Sequence, residues 1–331
     1  MGNETMVQTF ILLSFSNNPN LQIVLFVVFL MVYILTLLGN LLIIVTVKTN
    51  SSLHSPMYFF LGNLSFTDMC YPSVTTPKML VDFLSKQKSI SYSGCMSQIF
   101  FLHFFGCVEM FILTVMAFDR YVAICNPLHY MTIMSRRVCN LLVLACWVGG
   151  AVHSTAQELL MMTLPFCGPN EIDHFSCDVP PLLTLACTDT FLSGALIISN
   201  SGLISLVCFL ILLVSYTLIL LAVRKRSAEG KRKALSTCGA HLTVVTIFFG
   251  PCVFIYMRPA TTFPLDKFVS VFYALITPML NPIIYTLRNV EVKMSMKKFV
   301  SRRISEGQKH YNNADSHDET QIYSAVRAIK A

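Results

Sequence analysis

Charge is what this chain has least of. Only 12% of its 331 residues are charged while 54% are hydrophobic, and soluble domains carry roughly 25% charged residues. That shortage excludes an ordinary soluble fold. The charges are also absent from particular places: residues 21–47 contain no Asp, Glu, Lys or Arg, and neither do residues 191–223. Each run exceeds the ~20 apolar residues that cross a ~30 Å hydrocarbon layer as a helix. The first run has no basic flank before it and no small-residue cleavage site behind it, so it reads as a span rather than a signal peptide. Short alternating segments are missing, which excludes a membrane barrel. No internal repeat of the transporter kind is visible. The chain also lacks His-Glu-x-x-His, Gly-x-Ser-x-Gly and any metal-spaced cluster, so nothing in it suggests an enzyme.

What remains is a succession of apolar segments near 21–47, 56–82, 94–118, 138–163, 191–223, 234–257 and 268–287. Seven spans put the two termini on opposite sides. One set of loops holds Lys48, Arg120, Arg136, Arg137, Arg224, Lys225, Arg226, Lys231, Arg232 and Lys233, and the segment after 287 adds Arg288, Lys293, Lys297, Lys298, Arg302 and Arg303. The opposite loops hold Lys86, Lys88, Arg258 and Lys267. Cytoplasmic loops carry the excess of Lys and Arg, so the N-terminus lies outside and the tail inside. The net charge of +7 is then a skirt facing anionic lipid and requires no nucleic-acid partner.

The outside assignment makes Asn3-Glu4-Thr5 a glycosylation sequon in a short extracellular segment, residues 1–20. Four of the 12 cysteines also fall outside: Cys95 at the start of the third span, and Cys167, Cys177 and Cys187 in the long outer loop. Two disulfides, in any of three pairings, are expected in that oxidising compartment. The loop from 164 to 190 carries Glu171, Asp173, Asp178 and Asp189 with no Lys or Arg. Its four prolines argue against a continuous helix.

Two acids stand inside the membrane. Asp68 lies about 18 Å from the inner end of the second span, and Glu109 about 16 Å above Arg120 on the third, at 1.5 Å per residue. Two carboxylates at one depth are costly unless they share a cation or a proton. In the outer halves, helical spacing groups Leu102, His103, Gly106 and Met110, next to Cys107, on the third span. It groups Asn200, Ser201, Ile204 and Ser205 on the fifth, and Phe249, Cys252, Val253 and Tyr256 on the sixth. These faces give a mostly apolar wall with a few hydrogen-bonding groups, suited to a small, largely apolar ligand. Pro282 breaks a hydrogen bond in the seventh span and permits a kink. Residues 288–300 read as a basic amphipathic helix on the inner leaflet, and residues 301–331 as a disordered cytoplasmic tail.

Four strings, in order, carry a family resemblance. Met116-Ala-Phe-Asp119-Arg120-Tyr121-Val-Ala-Ile-Cys125 resembles the Asp-Arg-Tyr signature of rhodopsin-like receptors in its odorant-receptor form. Pro56-Met-Tyr-Phe-Phe-Leu61 with Leu64, Ser65 and Asp68 is similar to the family's second span. Lys233-Ala-Leu-Ser-Thr-Cys238 with His241 resembles its sixth, and Pro278-Met-Leu-Asn281-Pro282-Ile-Ile-Tyr285 with Arg288 and Asn289 its seventh. The similarity to tetrapod-type odorant receptors runs from residue 9 to about 300. Departures are Phe248-Phe249-Gly250 where Phe-Tyr-Gly is common, Ala240 where serine is usual, and the longer tail.

The resemblance implies an all-α bundle of seven transmembrane helices, residues 21–287, in the plasma membrane, with cilia of olfactory neurons as the expected site. It implies a small volatile ligand and a stimulatory, olfactory-type G protein that raises cyclic AMP. Arg120 would be held by Asp119 at rest and freed on activation, with Tyr121, Tyr216, Asn281, Pro282 and Tyr285 taking part. The Asp68 and Glu109 positions resemble a structural sodium site, and no other cofactor is expected. The disulfides it implies are Cys95–Cys177 and Cys167–Cys187. A receptor for a non-odorant metabolite is the alternative, followed by a transporter.

Overall fold

The computed structural model describes residues 7–13, 15, 16, 18–167, 170–224, 227–257, 265–288, 292–295, 297 and 301. Asn3, the tail and most of the 288–300 segment lie outside the described residues, although residues 292–295 are helical. Among the described residues, seven long helices form one bundle. The first span is Pro19–Thr49, the second Pro56–Leu84, the third Tyr92–Cys125 and the fourth Arg136–Met162. The fifth is Phe191–Val223, the sixth Ala228–Tyr256, and the seventh runs over residues 266–288. Five of the seven expected segments lie wholly inside these helices, whereas those at 138–163 and 234–257 run one residue past the helix ends at Met162 and Tyr256.

Two of the spans begin at a side-chain cap. Asn18 accepts a hydrogen bond from the Asn20 amide, with Pro19 in the first turn. Ser91 does the same for Gly94 at the start of the third span. Such caps satisfy donors that the helix itself leaves free. The first span buries Phe29, Thr36, Asn40, Ile43 and Thr46, residues three, four or seven apart and therefore on one face. Its other sides expose Ile23, Val27, Met31 and Leu38, the surface that hydrocarbon would cover. Polar groups instead turn inward: Asn40, Asp68, Glu109 and His241 are fully buried. The third span is central and packs against the second, fourth, fifth and sixth. Gly150 permits one of these contacts, since a Cβ there would stand 2.6 Å from a Val108 methyl and 3.1 Å from the Phe104 carbonyl oxygen.

Strands appear outside the membrane, where the sequence had shown none. β1 (Thr9–Leu12) pairs antiparallel with β2 (Ser89–Ser91), with Phe10 opposite Ile90, and parallel with β3 (Glu171–Ile172), with Leu12 opposite Ile172. The N-terminal segment is thus the middle strand of a small sheet that ties two outer loops together. Disulfides join Cys95 to Cys177 and Cys167 to Cys187. The first fastens the long loop to the third span, and the second closes the loop on itself. A short helix, Val179–Leu183, follows in the loop, capped by the Asp178 carboxylate accepting from the Val179 amide at 2.7 Å.

Candidate functional site

A cavity of about 40 Å³ lies in the outer half of the bundle, beneath the long loop. Its lining includes Leu102, His103, Gly106, Cys107 and Met110 from the third span. Ser201, Ile204 and Ser205 come from the fifth, and Cys252 and Tyr256 from the sixth. The periodicity of three helices therefore converges on one space. Three expected residues are not there. Asn200 turns toward the fourth span, where its amide donates to Gln157 Oε1 at 3.2 Å. Val253 and Phe249 also stay out of the lining, and Phe248 takes the inward place instead. One helical step of ~100° separates each of these from the neighbour that does face inward. Tyr71, His153 and Tyr273 complete the wall from spans that the spacing argument left unassigned.

The loop reaches the cavity's lining through a buried carboxylate, which roofs it by way of the lining residues it bonds. Asp178 is 2% exposed. Tyr256 donates to both of its oxygens at 3.2 Å, and Tyr273 to one at 3.4 Å. His103 Nε2 stands 3.5 Å from the same carboxylate. Burial pushes the Asp178 carboxyl up, but His103, His174 and the Val179 amide outweigh it and hold the group below the usual carboxylate range. The loop is fixed from behind as well: the Cys177 amide donates to Gln98 at 2.8 Å, and Gln98 donates to the Val74 carbonyl. Beside the cavity, Gln157 donates to the lining residue Ser201 at 3.0 Å and so links the fourth and fifth spans. The signal for this roof was present in the sequence as Asp178 directly after Cys177, but only the disulfide's direction shows that it points inward.

Deeper in the bundle, Asn281 donates its amide to Asp68 Oδ2 at 2.8 Å. Glu109 lies beside both groups and interacts with them electrostatically. The second Asp68 oxygen, both Glu109 oxygens and the Asn281 oxygen are buried without a hydrogen-bond partner. Hard oxygen ligands of this kind suit an alkali or alkaline-earth cation, so the donor set fits the sodium ion that the resemblance implies.

At the inner end Asp119 has a partner besides the charge of Arg120. Asp119 and Arg120 form no ion pair among the described residues. The Asp119 carboxylate instead accepts from the Tyr130 hydroxyl at 2.8 Å, from the short helix Tyr130–Ile133 after the third span. Neighbours in a helix point ~100° apart, and Tyr130 is on Asp119's side. The Arg120 Nε has no hydrogen-bond partner. Tyr216 and His241 pair across the fifth and sixth spans. Tyr121 is half-buried, whereas the Tyr285 hydroxyl is buried without a partner. Gly39 lets Pro282 come close, at 3.2 Å from where a Cβ would be, and Asn40 donates to the Pro278 carbonyl at 2.9 Å.

Comparison with known proteins follows this geometry. The family model described as Olfactory receptor matches residues 29–303. Human Olfactory receptor 4S2 is 62% identical over 298 residues, covering 90% of this chain and 96% of that protein. Mouse Olfactory receptor 4E2 is 59% identical over 302 residues, covering 91% and 98%. Among solved structures, squid rhodopsin superposes with a TM-score of 0.68 at 16% identity, covering 87% of each chain. That likeness establishes the shared fold.

Proposed function

Because the chain belongs to the olfactory receptor family, a multi-pass membrane receptor and not an enzyme, we propose that it detects a small, mostly apolar volatile in the cavity under Asp178. The observation that carries this reading is the convergence of three helical faces on one space roofed by a buried carboxylate. A few water molecules fill ~40 Å³, and drug-sized ligands occupy ~300–1,000 Å³. An odorant therefore enters only if side chains and helices move apart. The ligand favours whichever helix arrangement makes room for it, and this differential affinity is what shifts the receptor toward signalling. Apolar contacts come from Leu102, Met110, Ile204 and Phe248. Hydrogen bonds to a carbonyl or hydroxyl come from His103, Ser205 or Tyr256.

The motion reaches the inner face through the spans that line the cavity. Parting of Tyr216 and His241, together with release of Asp119 from Tyr130, would free Arg120 for a G protein of the stimulatory, olfactory type, which raises cyclic AMP. Asp68, Glu109 and Asn281 hold a sodium ion in the resting receptor, where it supplies the positive charge that two buried carboxylates need. The expected place is the cilium of an olfactory neuron.

A panel of volatiles read out by cyclic AMP in cells expressing the receptor tests the reading. A response that is lost in Tyr256→Ala and Ser205→Val, with surface delivery unchanged, is the expected result. A response only to involatile metabolites, or only through another G-protein class, would overturn it.

A further inference from the structure

A second, larger cavity of about 340 Å³ opens at the opposite end of the molecule, between the inner ends of the first, second and fourth spans. Its polar side carries Lys48, His54, Arg136 and Asn140, and its apolar side Phe59 and Met131. No Asp or Glu lines it. Lys48 is in the last turn of the first span and Arg136 in the first turn of the fourth, so both cations stand where hydrocarbon meets cytoplasm. Neither has a hydrogen-bond or ion-pair partner for its side chain among the described residues. Both side chains are exposed, and so are Phe59 and Met131.

Two unpaired cations beside exposed apolar side chains, at the depth of the inner headgroups, match an amphipathic anion. We propose that this cavity is a binding site for an anionic phospholipid of the inner leaflet. The headgroup phosphate sits between Lys48 and Arg136 and accepts from Asn140, and an acyl chain lies on Phe59 and Met131. A cation near an anionic surface contributes about fivefold to binding, so two contribute roughly twenty-fivefold. Occupation would bridge the loop after the first span to the loop that carries Tyr130, and so bear on the grip of Tyr130 on Asp119.

The test uses the full receptor in nanodiscs of phosphatidylcholine with a minor share of phosphatidylserine, with co-purified lipid counted by mass spectrometry after brief detergent exchange. Wild type should retain phosphatidylserine over phosphatidylcholine. Lys48→Gln with Arg136→Gln should lose that preference by about twenty-fivefold, while Lys48→Arg with Arg136→Lys keeps it. The charge-matched pair Arg137→Gln with Arg224→Gln, outside the cavity, should also keep it. Equal loss in both glutamine pairs would show diffuse surface charge and overturn the site, as would retention in the first pair. Displacement by millimolar inorganic phosphate would show a free-anion site, and retention of cholesterol in place of phosphatidylserine would show an uncharged occupant. Either result would also overturn it.

Discussion

Asn281 on the seventh span donates its side-chain amide to Asp68 on the second across 2.8 Å, and both groups are buried. The bond uses one Asp68 oxygen and leaves its other oxygen facing Glu109. If one cation serves all three residues, Asp68→Asn and Glu109→Gln should each reduce the sodium dependence of agonist potency. The double variant should do no more than either single, because residues acting on one ion are not additive. Dose–response curves in sodium and in choline buffer measure this. Equal sodium sensitivity in wild type and all variants would remove the cation from the account.

Arg120→Ala should reduce agonist-driven cyclic AMP to background while surface staining stays near wild type. Tyr130→Phe removes the hydroxyl that occupies Asp119 and should raise basal signalling. A flow-cytometric surface count paired with a cyclic AMP assay reads both. Wild-type signalling in Arg120→Ala would sink the coupling role.

The outer loop predicts a pH dependence. Burial pushes the His174 imidazole below its usual range, against the pull of Asp178, and its ring hydrogen-bonds Ser176 and Ser270. The neutral ring is thus the folded form, while the unfolded chain takes up a proton near pH ~6.5. Stability is fully present above that pH and falls as the pH drops through it, because the unfolded state then binds more protons. The depressed Asp178 group acts only at lower pH, through and below the ordinary carboxylate range. Thermal midpoints of purified receptor at pH 7.5 and 5.5 should therefore differ more in wild type than in His174→Gln. An unchanged difference would count against the role of His174.

Gly150→Ala should cost about 1–3 kcal/mol, since overpacking a filled interface forces side chains or backbone to shift. The obstructing atoms are a Val108 methyl and the Phe104 carbonyl oxygen, and the backbone atom cannot rotate away. A thermal melt of Gly150→Ala that matches wild type would show that the third and fourth spans are less tightly packed than they stand here.

Legibility from sequence followed the range of the interactions involved. The first and fifth spans announce themselves through uninterrupted apolar runs. The second, with Asp68, Lys78 and Asp82 inside it, needed its motif. Periodicity put Ser201 and Cys252 correctly on the cavity side but could not fix each helix's rotation, so Asn200 and Val253 came along as neighbours. β3 is two residues long and exists only because β1, some 160 positions earlier, lies against it. No local pattern could reveal it. The Asp119–Tyr130 bond escaped for a related reason: the loop has to turn back before the two can meet.

The seventh span contains one wide π turn, Phe272–Ile276, after which the Thr277 amide reaches back five residues to the Phe272 carbonyl. Tyr273 and Asn281 are eight positions apart, which in a plain α-helix would leave them about 80° out of phase. The wide turn absorbs one residue and brings that to about 20°. The same inner edge thereby offers a hydroxyl to Asp178 and an amide to Asp68. Deleting a single residue within 274–276 would convert the wide turn to ordinary helix and leave both groups facing inward. The same deletion between Thr277 and Asn281 would swing the amide away by about 100°, so this helix tolerates a lost codon in one place and not a turn further on.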